Sequence, residues 1–382
     1  MKIGYLSEHA PSDRKASSGT NYKMVQQLSK IGELKWIPIR QRRFAKYFKY
    51  LIKALYLLCG YNVIPALNRY FYKCMYKKVE VESFNNCDIV AAFFCMPTLA
   101  NLESIKKPII YFTDATFPAM IDYYFHNLTE SNKHQGTEAE KKAMKRSEII
   151  VVSSDWAKDS ALNDLKIEPN KIYVVEFGAN IDEKDIINNK ELYNSNKQLE
   201  LLFLGVDWKR KGGDIAVEAV RWLNDNGIST KLHIAGIKKL NDNISKLPFV
   251  EYHGFLNKNN TEDYNKLVSL LKNSHALLLP TVAECSAISF AEASAYSLPV
   301  FTHNTGGISN YIIDGVNGYK LPIGSAGIDF GKCIKEKIEN NELNNMSVTA
   351  KDLYNSKLNW DHWGEKIKSI LKSYTANSNS IY

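Results

Sequence analysis

Two glutamates form the strongest chemical pattern in this sequence. Glu284 and Glu292 are separated by seven residues inside Pro280 to Gly307, PTVAECSAISFAEASAYSLPVFTHNTGG. An apolar strand precedes the first, and a small-residue helix carries the second. Were every intervening residue helical, the carboxylates would stand roughly 12 Å apart along the axis. That is too far to share one proton or one metal ion. The separation suits a long ligand gripped at two places, with backbone N–H groups of Ala287, Ile288 and Ser289 at a helix N-terminus offered to an anion between them. A sugar diphosphate nucleoside has that layout: sugar hydroxyls, phosphates, then ribose hydroxyls. Two solvated glutamates, one near the end of an exposed helical face, are the plainer alternative, and this stretch alone leaves both open.

Leu201 to Gly213, LLFLGVDWKRKGG, adds charge of the opposite sign. A strand delivers Gly205 to a loop, and Lys209, Arg210 and Lys211 follow before paired glycines and a helix beginning around Asp214. Arg210 and Lys211 can neutralise the charge that builds on a departing diphosphate. An ordinary surface basic cluster is the alternative. The chain has no Asp-x-Asp, the usual means of holding a divalent ion on a nucleotide sugar, so neither a metal nor another cofactor is expected. The loop Ser7 to Thr20 contains Gly19, which lets a backbone come close to a ligand, although a lone glycine before a helix also serves as a turn or cap. Asp114, in YFTDATF, falls beyond a strand's carboxyl end, where open parallel sheets bind ligands. A role at an acceptor and a helix N-cap both remain open for it.

These stretches together resemble a bacterial family-4 glycosyltransferase over essentially the whole chain. The resemblance rests on GVDWKRKGGDIAVEAV at Gly205 to Val220, on the Glu284 to Glu292 spacing with its EASAYSLPV continuation, and on SSDWAKDSAL followed by EFGANID between Ser153 and Asp182. It implies a GT-B fold, two Rossmann-like α/β domains with a cleft between them. It also implies a retaining transfer from a nucleotide-diphosphate sugar to a hydroxyl. By resemblance, Arg210 and Lys211 bind the donor diphosphate, Glu284 the donor sugar's hydroxyls and Glu292 the ribose. Gly19 approaches the donor, and Phe255 falls where the family packs its base-binding loop. The family's aromatic-glycine pair after the first glutamate is replaced here by Ser286 and Ala287, and its glycine loop has one glycine instead of two.

The elements that must position these residues alternate short apolar runs with helix-period segments, as in parallel sheets covered by helices. Strands are expected at 2–6, 35–39, 88–94, 108–112, 148–153 and 171–175, then at 199–204, 230–235, 250–253, 275–280 and 299–303. The Asn-rich stretch 181–197 reads as a linker. The expected domains are 1–180 on the acceptor side and 198–357 on the donor side. A terminal helix, 358–375, is expected to pack back on the first, with a frayed tail after it.

The 382 residues suit two domains. The six cysteines show no paired spacing and read as buried thiols in a reducing cytoplasm. No signal peptide is evident at the N-terminus. The net charge of +8 is concentrated in Leu34 to Val79, which holds eleven basic residues and no acidic one. Arg42, Lys46, Lys49 and Lys53 share one helical face, with Phe44, Phe48, Leu51, Leu55 and Leu58 opposite. Such a helix suits an anionic membrane surface, contacted through residues 40–58, and equally an ordinary helix with its apolar side in the core. A peripheral position on the inner face of the membrane would fit an acceptor that is a glycan or is carried on a lipid. Nucleic acid is disfavoured, because the charge is interleaved with aliphatic residues in helical phase. A GT-B sugar-nucleotide epimerase and a non-catalytic nucleotide-sugar-binding subunit are the alternative functions.

Overall fold

The computed structural model describes residues 1–102 and 105–379. The chain divides into two compact units. One comprises Met1–Ala16, Asn21–Val175 and the end of the chain from Ile367; the other comprises Ser17–Thr20 and Glu176–Lys366.

The first unit is built on β1 (Lys2–Ser7), β2 (Glu33–Pro38), β3 (Ile89–Phe93), β4 (Ile109–Thr113), β5 (Ile149–Val152) and β6 (Ile172–Val174). They pair in parallel in the order β2-β1-β3-β4-β5-β6. The central runs IVAAF, IIYFT and IIVV are buried at every position, as strands covered by helices on both faces must be. The second unit repeats the plan with β7 (Leu199–Leu204), β8 (Thr230–Ala235), β9 (Val250–Gly254), β10 (Ala276–Leu278), β11 (Val300–His303) and β12 (Gly318–Leu321). Its order is β12-β11-β10-β7-β8-β9, again all parallel. This is the α/β architecture of the GT-B type.

Each sheet reverses its direction of growth once, between β1 and β3 in the first unit and between β7 and β10 in the second. Loops leaving neighbouring strands at such a reversal diverge to opposite faces and leave a crevice beyond the carboxyl ends. In the second unit those are the loops carrying Arg210, Lys211 and Glu284.

Several expectations need correction. β12, GYKL, was not anticipated. The terminal helix runs from Trp360 to Asn379, so 375–379 is helical and not frayed, while 380–382 lies outside the described residues. Cys59 and Cys74 are exposed, not buried. The basic helix spans Ala45–Leu58, which leaves Arg42 and Phe44 before its first turn. It buries only a narrow stripe, with Ala45 buried and Phe48, Ile52 and Tyr56 partly covered. Phe48 packs edge-on against Phe71. Leu51, Leu55 and Leu58 stay 58%, 52% and 85% exposed, so most of the apolar side does not enter the core. No helix among the described residues is long and apolar enough to cross a membrane.

Candidate active site

The loop after β7 is shaped by two glycines. Gly212 adopts φ +74, and a Cβ there would fall 2.1 Å from the Pro280 carbonyl oxygen, so only glycine permits this approach to the end of β10. At Gly205 a Cβ would meet the Lys211 side chain at 2.9 Å; its absence opens a lane for the lysine stem. The neighbouring loops are then joined beyond their strands. The Val282 N–H donates to the Arg210 carbonyl at 2.9 Å, and Thr281 Oγ1 donates to the same oxygen at 3.2 Å. From the other side, the Gly307 N–H donates to the Glu284 carbonyl at 3.1 Å.

This frame brings Arg210, Lys211 and Glu284 together. Lys211 Nζ forms an ion pair with Glu284 Oε2, and Arg210 Nη1 lies 3.9 Å from the same oxygen. Arg210 Nη1 also donates to the Ala283 carbonyl at 2.8 Å. Lys211 and Glu284 are only 8% and 9% exposed, so the pair is a buried one and its charges are poorly screened. The third cation of the motif, Lys209, turns away to Asp214 at 2.6 Å and remains solvated.

Glu292 lies on the helix Ile288–Ala295 and is buried. Its partner is Lys258, in the loop after β9, whose Nζ pairs with Glu292 Oε1 and also donates to the Asn180 carbonyl at 3.4 Å. Sequence reasoning missed Lys258. Its only signal was a lysine three residues beyond Phe255 in a polar loop. Phe255 itself follows β9, with Lys238 Nζ 5.6 Å from its ring centroid. Ala287 precedes the Ile288 helix at φ 36, ψ 46, a left-handed conformation suited to glycine. The first-turn N–H groups of Ile288 and Ser289 have no acceptor within the helix by its geometry, while that of Phe290 is taken by the Ala287 carbonyl at 2.8 Å.

Gly19, at φ 100, ends a run in which Ser17 and Ser18 are also left-handed. Asn180 holds it from both sides, donating to the Ser18 carbonyl at 3.1 Å and to Thr20 Oγ1 at 3.0 Å. Asn180 Oδ1 in turn accepts from Trp360 Nε1 at 3.0 Å. The EFGANID stretch thus anchors the glycine segment.

Asp114 lies in the first unit, just beyond β4. It is not the cap of the helix Phe117–Met120; Thr116 is, accepting from the Ala119 N–H at 3.4 Å. Behind it sits Glu140, buried, which accepts from Tyr111 Oη at 3.0 Å and from the Phe117 N–H at 3.2 Å. Burial pushes Glu140 up to about 7 against the pull of those two bonds, and the charge of Asp114 adds to the rise.

The family profile "Glycosyl transferases group 1" matches residues 184–352, a span that contains Arg210, Lys211, Lys258, Glu284 and Glu292. An uncharacterized glycosyltransferase of Methanocaldococcus jannaschii is 25% identical over 61% of this chain and 62% of its own length. The capsular polysaccharide biosynthesis glycosyltransferase CapM of Staphylococcus aureus is 24% identical over 61% of this chain and 64% of its own. The chain thus spans less than two thirds of the length of either relative. Among solved structures, Anabaena Alr3699/HepE in complex with UDP-glucose superposes with a TM-score of 0.62 at 14% identity, covering 98% of this chain and 100% of that one. The chain therefore carries a glycosyl transferases group 1 domain over residues 184–352, within an α/β fold of the GT-B type.

Proposed function

We propose that this protein is a retaining glycosyltransferase that moves a sugar from a nucleotide-diphosphate sugar to a hydroxyl acceptor without a metal on the donor. The observation that carries the reading is the block formed by Arg210, Lys211 and Glu284 beside the start of the Ile288 helix. It offers two cations and helix N–H groups to a diphosphate, and a carboxylate to sugar hydroxyls. Glu292, held by Lys258, is the ribose acceptor in this reading, and Phe255 lies toward the base. The UDP-glucose bound by the Anabaena protein supports a nucleotide sugar as donor.

In the reaction, the acceptor oxygen attacks the anomeric carbon as the bond from that carbon to the phosphate oxygen breaks. The nucleoside diphosphate leaves with the electron pair, stabilised by Arg210 and Lys211. Attack from the same face lets the departing phosphate oxygen take the acceptor's proton, which gives retention without a protein nucleophile. Asp114 is the acceptor-side candidate for orienting that hydroxyl.

The acceptor is a glycan or lipid-linked precursor of a cell-surface polysaccharide. The capsular role in the name of the Staphylococcus relative supports this, and so does the exposed apolar and basic surface of the Ala45–Leu58 helix. That helix would rest on the anionic inner face of the membrane, placing the protein in the cytoplasm as a peripheral enzyme.

The test is a panel of nucleotide sugars screened by thermal shift, followed by transfer assays with NMR assignment of the product anomer. One nucleotide sugar should raise the melting temperature, and the product should keep its anomeric configuration. Failure of every nucleotide sugar to bind, or an inverted product, overturns the reading. Flotation with anionic and neutral vesicles tests the membrane contact separately; binding to neither removes it.

A further inference from the structure

We propose that the outer strands of the second sheet hold a divalent metal site formed by His233, Glu251 and His253, separate from the donor grip. His233 on β8 stands opposite Glu251 on β9. Strand alternation puts His253, two residues on, on the same face as Glu251. The three ligand atoms all lie within 4.8 Å of one another. His233 Nδ1 is 3.0 Å from His253 Nε2, while Glu251 reaches the latter at 3.7 Å through Oε1 and the former at 3.8 Å through Oε2. A tetrahedral zinc ion with bonds of about 2.0–2.1 Å sets its ligand atoms about 3.3 Å apart. The two imidazole nitrogens lie close to that spacing, and one Glu251 oxygen is within 4.8 Å of both, so closure on an ion needs a shift of the Glu251 carboxylate toward them.

The surroundings supply what a metal-binding imidazole requires. His233 Nε2 lies 2.8 Å from Glu200 Oε2 on β7. A carboxylate there accepts a hydrogen bond from Nε2–H and leaves the Nδ1 lone pair facing the other two ligands, the arrangement that orients histidine in metal centres. The imidazoles are largely covered, whereas the Glu251 side chain is 48% exposed and gives an ion a way in. Two cations oppose binding: Lys231, 3.3 Å from Glu251 Oε2, and Lys266, within electrostatic reach of His253. Lys231 engages Oε2 and leaves Oε1 as the ligand oxygen. Imidazole with carboxylate suits zinc and neighbouring first-row divalent ions, and the ion would clamp β9 to β8.

Zinc titrated into the full-length protein, in competition with a chromophoric chelator, should report one bound equivalent. His253→Asn should abolish that binding. Glu200→Gln, which touches no metal, should weaken it by about 10–100-fold. Zinc should also raise the melting temperature of the parent protein and not that of His253→Asn. Replacing the exposed Cys59 and Cys74 by serine should leave the site intact. Should His253→Asn fail to fold, Glu200→Gln carries the test. A parent protein that binds no zinc, or zinc binding unchanged in Glu200→Gln, overturns the proposal.

Discussion

In the second unit, Glu284 and Glu292 are each met by a lysine, whereas Glu140 in the first unit, comparably buried, is held by a tyrosine hydroxyl and a backbone N–H. The cost of burying a carboxylate is met in opposite ways. A lysine offsets the charge by Coulomb attraction. Two neutral donors do not suffice, and Glu140 instead takes up a proton near pH 7. The second unit therefore answers its buried carboxylates with lysines, and the interior behind Asp114 answers Glu140 with a proton.

The largest expected effect lies in the block of Arg210, Lys211 and Glu284. Glu284→Ala should lower sugar transfer by roughly 10²–10³-fold or more, the scale of removing one preorganised polar contact in a transition state. Initial rates at saturating donor, with circular dichroism to confirm folding, check this. A variant with undiminished turnover would remove Glu284 from the site.

Lys258→Met, which leaves Glu292 buried without its partner, should cost about 3–5 kcal/mol in urea unfolding. The double variant Lys258→Met/Glu292→Met should recover most of that loss. A single variant no less stable than the parent would mean that Lys258 does not offset the burial of Glu292.

Glu140 behaves in the other sense. Its folded value is raised from 4.5 to about 7, so the folded chain keeps a proton that the unfolded chain releases. The corresponding stability is present in full below about 4.5 and is lost as pH rises through 7, a fall on the order of 3 kcal/mol. Glu140→Gln should remove this dependence, which unfolding midpoints measured across that range will show.

The smallest effect concerns the left-handed residue before the Ile288 helix. Ala287→Gly should stabilise the protein by about 1 kcal/mol, because a left-handed alanine is strained and a glycine is not. A lower melting temperature for the variant would mean that the methyl group contributes packing that outweighs the strain.

Much of this was legible in the residues. β7 and β8 coincide with the expected 199–204 and 230–235, since LELLFL and TKLHIA are apolar runs of strand length closed by glycine. The clustering of Arg210, Lys211 and Glu284 followed from loops placed after strands. β12 escaped notice because GYKL has a single fully buried position and a lysine within it. The pairing of Glu292 with Lys258 depends on how a polar loop returns over a helix, which no periodicity records. The exposed leucines of the Ala45–Leu58 helix show the same limit, because identical spacing describes a face turned to the core and one turned to solvent. The histidine pair was invisible for a related reason, as twenty positions separate His233 from His253 and only sheet register brings them together.

The bond from Val282 N–H to the Arg210 carbonyl gives the loops after β7 and β10 a common fate. With Gly307 fastening the Glu284 carbonyl from the far side, the backbone segments that carry the two cations and the carboxylate are tied into one hydrogen-bonded frame. In the proposed function, little backbone ordering then remains to be done when a donor arrives. In that reading Glu284 meets the sugar hydroxyls from a fixed backbone, and further discrimination between sugars arises in side chains that can still choose among rotamers.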